Sequence, residues 1–290
     1  MKKILEIKNL TKYYDKTLGV KDLSFDLIEG EIFGFIGPNG AGKSTTIRSV
    51  MNLINKTSGE VLFNGEKLDK DNIELKKQIG YLPSEIYLYE ELTIKEMLDY
   101  HEKFYDKNIK KRRKELVKKL KLDENKKIED LSLGNLKKLG IVLAFMHEPK
   151  LLILDEPTSG LDPIMQQTFY DLLKEEKEKG TTILYSTHIL SEISKICDKV
   201  GIIKEGKLLK IENIKDLTSK ILTFVTISSP NIENIIKEID VEIIYKDDNS
   251  IKFKNTYSYN KLIKILSKYN IDKLLIEDAT LEEIFLHYYK

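Results

Sequence analysis

Apolar and polar side chains alternate over residues 4–8 and 23–28, as in Leu23-Ser24-Phe25-Asp26-Leu27. This period of two suits antiparallel strands with one wet face. Between them Thr11-Lys12-Tyr13-Tyr14-Asp15 reads as a loop carrying an aromatic pair. The pattern changes at Glu31-Ile32-Phe33-Gly34-Phe35-Ile36, a continuous apolar run, and then to a helix whose apolar face is Ile47, Val50, Met51 and Leu53. Residues 59–65 read as a strand ending in an Asn-Gly turn, the strongest short hairpin signal, and residues 79–83 as a further short strand. From there the spacing is helical. Thr93 and Glu96 form a capping box ahead of a face made by Ile94, Met97, Leu98, His101 and Tyr105. The basic run 107–127 is threaded by Leu116, Val117, Leu120 and Leu122, which predicts a helix with a solvated basic face. Another helix starts near Leu131 and buries Leu136, Leu139, Val142, Leu143 and Met146.

Residues 151–154 are again continuously apolar, as in a central parallel strand. A helix over 163–179, a strand over 181–186, a helix to about Cys197 and a hairpin through Glu205-Gly206 complete an α/β alternation. After residue 215 the order becomes β-α-β-β-α-β, with strands at 221–228, 241–246, 250–254 and 271–276 and helices at 231–239 and 259–269; a terminal helix starts at Leu281. That order predicts a small α+β ferredoxin-like domain over 216–290 behind a large one over 1–215. No string in it matches the aromatic RNA-recognition signature, so no nucleic-acid partner is expected.

Composition adds limits. Charged residues make up 33% of 290, yet the formal net charge is +1, so no global field draws the chain to nucleic acid or anionic membrane. A single cysteine, Cys197, forms no internal disulfide, and no secretory start precedes the first strand, which points to a reducing cytosol. No apolar run approaches the roughly 18 residues of a membrane span. If the protein acts at a membrane, another chain must cross it.

The chemistry concentrates at Gly37-Pro38-Asn39-Gly40-Ala41-Gly42-Lys43-Ser44-Thr45, between a buried strand and a helix. Glycines let the backbone turn with positive φ and aim successive N–H groups into one concavity that holds anionic oxygens. The helix start adds unpaired N–H groups and the positive end of its dipole. Lys43 is placed to reach β/γ-phosphates and the Ser44 hydroxyl to ligate Mg²⁺. The competing reading is a glycine-rich turn before a helix, and the flanking strand and helix favour the phosphate-binding P-loop. Asp155, at the end of a strand, can hold Mg²⁺, and Glu156 beside it can accept a proton from an attacking water; the bland reading is two acids capping a strand end.

Residues 151–163, LLILDEPTSGLDP, resemble the Walker B strand and D-loop of ATP-binding-cassette (ABC) ATPases, and LSLGN at 131–135 resembles their signature motif. With the P-loop and His188, the resemblance spans about residues 1–215. It implies an α/β P-loop NTPase cassette with a mixed-sheet core, an antiparallel β subdomain and a helical subdomain over about 84–147. It implies ATP on residues 37–45, with Tyr14 stacked on adenine (Tyr13 is the competing choice) and His188 on the γ-phosphate. Ser132, Gly134 and Asn135 would face the γ-phosphate held by a second subunit, and Asp162, in the D-loop, would cross that interface. The partners implied are a second ATPase subunit, as a homodimer, and a separate transmembrane permease that keeps the protein peripheral on the inner face of the membrane.

Three positions depart from the family pattern: Leu133 where Gly is usual, Asn135 where Gln is usual, and Ser84 where the Q-loop glutamine stands. A left-handed backbone at Leu133 would cost about 1–2 kcal/mol. Ser84 is too short to copy the glutamine's reach, and Glu85 is the neighbouring substitute. The leading expectation is the Mg-dependent ATPase subunit of an exporter of multidrug or peptide-antibiotic type. The alternatives are a soluble ABC ATPase acting on ribosomes or DNA and an ATP-binding regulatory module with little turnover. The C-terminal domain could dock on a partner, strengthen the dimer or act as a spacer.

Overall fold

The alternation near the start of the chain builds a long hairpin. In the computed structural model, which describes residues 2–219 and 223–278, strands β1 (Lys3–Tyr14) and β2 (Thr17–Ile28) pair antiparallel. Both are longer than the sequence pattern predicts. Tyr13 and Tyr14 are strand residues opposite Leu18 and Thr17, not loop residues. Register shifts along β1 break the period of two that marks a strand in sequence, and the turn is confined to Asp15 and Lys16, with Asp15 at φ 51°.

The chain continues through β3 (Ile32–Ile36), α1 (Lys43–Val50), β4 (Ser58–Phe63) and β5 (Glu66–Lys67). Asn64 and Gly65, both at positive φ, make the tight turn between the last two. Next come α2 (Ile73–Lys76), β6 (Ile79–Leu82), α3 (Ile94–Glu102), α4 (Lys110–Lys119) and α5 (Leu133–Phe145). Then follow β7 (Leu151–Asp155), α6 (Pro163–Glu178), β8 (Thr182–Thr187), α7 (Leu190–Ile196), β9 (Lys199–Lys204), β10 (Lys207–Asn213) and α8 (Ile214–Ser219).

Two sheets face each other. One is antiparallel with order β2-β1-β4-β5; the other is mixed with order β10-β9-β3-β8-β7-β6, parallel except for β10. The core lies between them, where Phe25 of β2 stacks on Phe33 and Phe35 of β3 at 5.2 and 5.3 Å. Strands β3, β7 and β8 are buried at every position, as the apolar runs of β3 and of residues 151–154 require, while β8 also buries the polar Thr182, Ser186 and Thr187. Their carboxyl ends lie side by side in register, Ile36 opposite Thr187 and Asp155 opposite Ser186.

The helical segment between β6 and β7 holds its predicted capping box: the Thr93 hydroxyl accepts from the Glu96 N–H, and the Glu96 carboxylate accepts from the Thr93 N–H. The basic face of α4 is not wholly solvated. Arg112 and Arg113 are buried; Arg112 pairs with Glu176, and Arg113 pairs with Asp99, Glu102 and Glu124 at 2.5, 3.1 and 2.7 Å. A sequence run shows the cations but not the carboxylates that other elements bring to them.

The chain divides into two compact units, Met1–Ile214 and Lys215–Lys290. In the second, β11 (Thr223–Ser228), α9 (Ile232–Glu238), β12 (Ile243–Lys246), β13 (Ser250–Lys254), α10 (Tyr259–Leu266) and β14 (Lys273–Asp278) form an antiparallel sheet of order β12-β13-β11-β14. That is the strand order of a split βαβ domain. Its core joins Val225, Ile227, Ile251 and Phe253 to Ile232, Ile235, Leu262 and Leu266. The helix expected from Leu281 lies outside the described residues.

Candidate functional site

The loop from β3 to α1 shapes the site. Gly42, the residue before α1, has φ 106°, and a Cβ there would stand 2.6 Å from Val20 Cγ1 and 2.9 Å from the Gly19 carbonyl oxygen. Only glycine fits both the conformation and the space. No side chain among the described residues caps α1, so its first N–H groups stay available to an anion. Lys43 is buried, and its ammonium donates to the carbonyls of Gly37 at 2.8 Å and Pro38 at 3.3 Å and lies 3.3 Å from Glu156 Oε1.

The carboxyl ends of β7 and β8 supply the acids and the histidine. Asp155 is fully buried; Ser186 Oγ donates to its Oδ1 at 2.5 Å, while its Oδ2 has no hydrogen-bond partner among the described residues. Glu156 adopts φ 47°, an uncommon conformation for a side chain of its size. Its Oε2 lies 2.9 Å from His188 Nδ1, and its N–H donates to the Ser186 carbonyl. The carboxylate therefore sits between an imidazole and an ammonium.

Lys43, Glu156 and His188 line one cleft of about 540 Å³ with Tyr14, Leu18, Gly19, Asn39, Gly40, Gly42, Ser44, Thr45, Ser84, Glu85 and Ser159, whereas Asp155 is buried and is not part of its lining. Tyr14, not Tyr13, lines it, with the Lys12 ammonium 4.8 Å from the Tyr14 ring centre. Gly37, Pro38 and Ala41 back the loop: a Cβ on Gly37 would lie 2.3 Å from the Ile203 carbonyl oxygen, and Ala41 accepts from the Gly206 N–H. Tyr81, on β6, has its hydroxyl pKa pushed up to about 12, by burial first and by the Asp155 charge second.

Ser132, Gly134, Asn135 and Asp162 do not line this cleft. Ser132 caps α5, accepting from the Asn135 N–H at 3.4 Å, and Asp162 caps α6, accepting from the Met165 N–H at 2.9 Å. Leu133 is the first residue of α5; it is not among the residues with positive φ, so its departure from glycine carries no left-handed strain. Its side chain is 79% exposed. The start of α5 borders a second hollow of about 250 Å³ that shares Ser84, Glu85 and Ser159 with the cleft. The Glu85 carboxylate accepts from the Tyr87 hydroxyl at 2.9 Å.

Two polar residues were not visible as site residues in the sequence. Glu192 of α7 is 3% exposed and accepts from the hydroxyls of Thr158 and Thr187 at 2.6 Å each, Tyr185 at 3.0 Å and Tyr170 at 3.1 Å. It thus joins the loop after Glu156 to the residue before His188. Lys137 of α5 is 5% exposed and donates to the carbonyls of Ser84, Pro83 and Glu156. A lone acid in a short helix, or a lysine in a basic pair, carries no sequence signal of burial.

A family model described as ABC transporter matches residues 20–159. The linearmycin resistance ATP-binding protein LnrL of Bacillus subtilis is 34% identical over 98% of this chain and 97% of its own length. The chain belongs to the ABC transporter ATP-binding proteins. Another member, the bacitracin transport ATP-binding protein BcrA of Bacillus licheniformis, is 36% identical over 99% of this chain and 97% of its own. Among solved structures, the ATP-binding subunit of an ABC transporter superposes with TM-score 0.70 at 33% identity over 75% of this chain and 92% of that one. The ABC cassette MJ0796, solved as a dimer in a post-hydrolysis state bound to ADP and Pi, matches with TM-score 0.66 at 27% identity over 73% and 99%. As an ABC ATPase the chain binds ATP, and its P-loop cassette fold with a mixed-sheet core agrees with these relatives.

Proposed function

We propose that this protein hydrolyses Mg-ATP between two copies of itself and drives export through a separate membrane-spanning subunit. The observation that carries the reading is the Glu156 carboxylate, held 2.9 Å from His188 Nδ1 and 3.3 Å from the Lys43 ammonium at the end of a buried strand. Lys43 exchanges its carbonyl contacts for the β/γ-phosphates, and the N–H groups at the start of α1 hold the remaining oxygens. Tyr14 stacks on the adenine. Glu156 accepts a proton as water attacks the γ-phosphorus and the bond to ADP breaks, with His188 steadying the carboxylate and the phosphate.

Asp155 Oδ2, without a hydrogen-bond partner among the described residues, and the Ser44 hydroxyl, in the first turn of α1 and lining the cleft, are the oxygen ligands a hard cation takes. Mg²⁺ held by these oxygens would supply positive charge against the phosphates.

Ser132, Gly134, Asn135 and Asp162 reach the nucleotide from the other subunit, which is why they are absent from the cleft of their own chain. Export is supported by LnrL and BcrA, whose names are those of a resistance and an antibiotic-transport protein. No helix among the described residues is long and apolar enough to cross a membrane. The segment from Ser84 to about Lys127 meets the membrane subunit. Exposed Tyr87, Tyr89 and Phe104 support that docking, with Tyr89 and Phe104 each edge-on to Tyr100. Isolation of the tagged protein from its own cells in mild detergent is expected to bring down a membrane-spanning protein. Sedimentation with ribosomes, and nothing membrane-spanning in the eluate, would contradict the transport reading.

A further inference from the structure

Lys137 lies in the second turn of α5, the helix that begins at the signature residues. Its ammonium has three donors, and three carbonyls surround it: Ser84 at 2.8 Å, Pro83 at 3.4 Å and Glu156 at 3.5 Å. Burial lowers its pKa, and the charges of Asp155 and Glu156 oppose that shift. A buried ammonium is costly unless it is well paired. The following residues Leu139, Gly140 and Ile141 are buried and apolar, so packing alone gives no reason for a charge at this level of the helix.

The three carbonyls belong to two places that matter. Pro83 and Ser84 follow β6 and open the helical segment, and Glu156 carries the carboxylate of the cleft. At φ 47° the Glu156 backbone is not in a broad minimum, so the groups that grip its peptide units set where its side chain points. Its N–H is fixed by the Ser186 carbonyl of β8. Its carbonyl is gripped from α5, by Lys137. The contact at position 84 is to the backbone, so a side chain as short as serine is sufficient there.

We propose that Lys137 is a positioning residue for hydrolysis: its ammonium clamps the 83–84 loop to the Glu156 carbonyl, so that the placement of the signature helix sets the orientation of the Glu156 carboxylate. This rests on the reading of Glu156 as the proton acceptor. It assigns to α5 a task within its own subunit, separate from what its first residues do across the interface.

The test compares the full-length parent with Lys137→Met, Lys137→Gln and Lys137→Arg, with Glu156→Gln as the inactive control. Steady-state ATPase gives kcat and KM, and titration with a fluorescent ATP analogue gives affinity. Misplacement of the carboxylate by about an ångström predicts a kcat lower by about 10- to 100-fold in Lys137→Met and Lys137→Gln. KM and affinity are expected to stay within about threefold of the parent, the signature of a defect confined to the chemical step. Lys137→Arg, which keeps donors and charge, is expected to recover much of the rate. A kcat within about threefold of the parent in either neutral variant would overturn the proposal. So would equal losses in Arg and Met that follow falls in melting temperature, or failure of both neutral variants to fold, since either marks Lys137 as structural. A parent with no Glu156-dependent turnover would instead overturn the hydrolysis reading, and this inference with it.

Discussion

Glu156→Gln is expected to lower ATP turnover by about 10²- to 10⁴-fold, the range a positioned general base contributes. Gln keeps the size of the side chain and one acceptor for the His188 ring, so the geometry at 2.9 Å survives while the capacity to take a proton is lost. Nucleotide affinity is expected to hold or rise, because the Glu156 charge that faces the Lys43 ammonium at 3.3 Å no longer competes with phosphate for it. Steady-state hydrolysis and equilibrium ATP binding on the same preparations check both halves. A variant that hydrolyses ATP within about tenfold of the parent would remove Glu156 from the chemistry.

The second large effect is on stability. Glu192 is 3% exposed, and its two oxygens accept four hydroxyl hydrogens from four residues on two elements and a loop. Burial and the Glu192 charge raise the pKa values of Tyr170 and Tyr185, so both hydroxyls keep the protons they donate. Glu192→Ala strands these hydroxyls in the interior, where each unsatisfied group costs about 1–3 kcal/mol. Some hydroxyls will find other acceptors, so the expected loss is about 3–5 kcal/mol, and at about 2–4 °C per kcal/mol the thermal midpoint of the cassette should fall by roughly 10 °C. Glu192→Gln, which retains an acceptor, should fall between the two. Thermal unfolding followed by circular dichroism reads the difference, and a midpoint for Glu192→Ala within about 2 °C of the parent would contradict it.

What the sequence made legible was whatever is encoded locally. The P-loop, the strand ending in Asp155-Glu156 and the Asn64-Gly65 turn need particular residues at fixed spacing, because left-handed φ and close backbone approach exclude the alternatives. The buried strand β3 and the apolar run 151–154 of β7 were legible because a strand covered on both faces has no polar phase. The far half of β1 was not, since its register shifts break the alternation that marks a strand. Arg112, Arg113, Lys137 and Glu192 escaped for a different reason. Each is a charged residue of a type usually exposed, and its burial depends on partners far away in sequence, such as Glu176 for Arg112 and Tyr170 for Glu192. The positive φ of Glu156 was hidden too, because a glutamate carries no preference that announces it. At Leu133 the sequence raised a question about strain that the helical backbone answers.

In the proposed cycle each cleft is half of a site, completed by Ser132 and Gly134 of a second copy. This arrangement is tested most directly by the molecular mass of Glu156→Gln in solution, by light scattering, with and without saturating ATP. A monomer is expected without nucleotide, a dimer holding two ATP with it, and no dimer when Ser132→Arg is added to the same chain. A monomer mass at saturating ATP, with one nucleotide bound per chain, would contradict it.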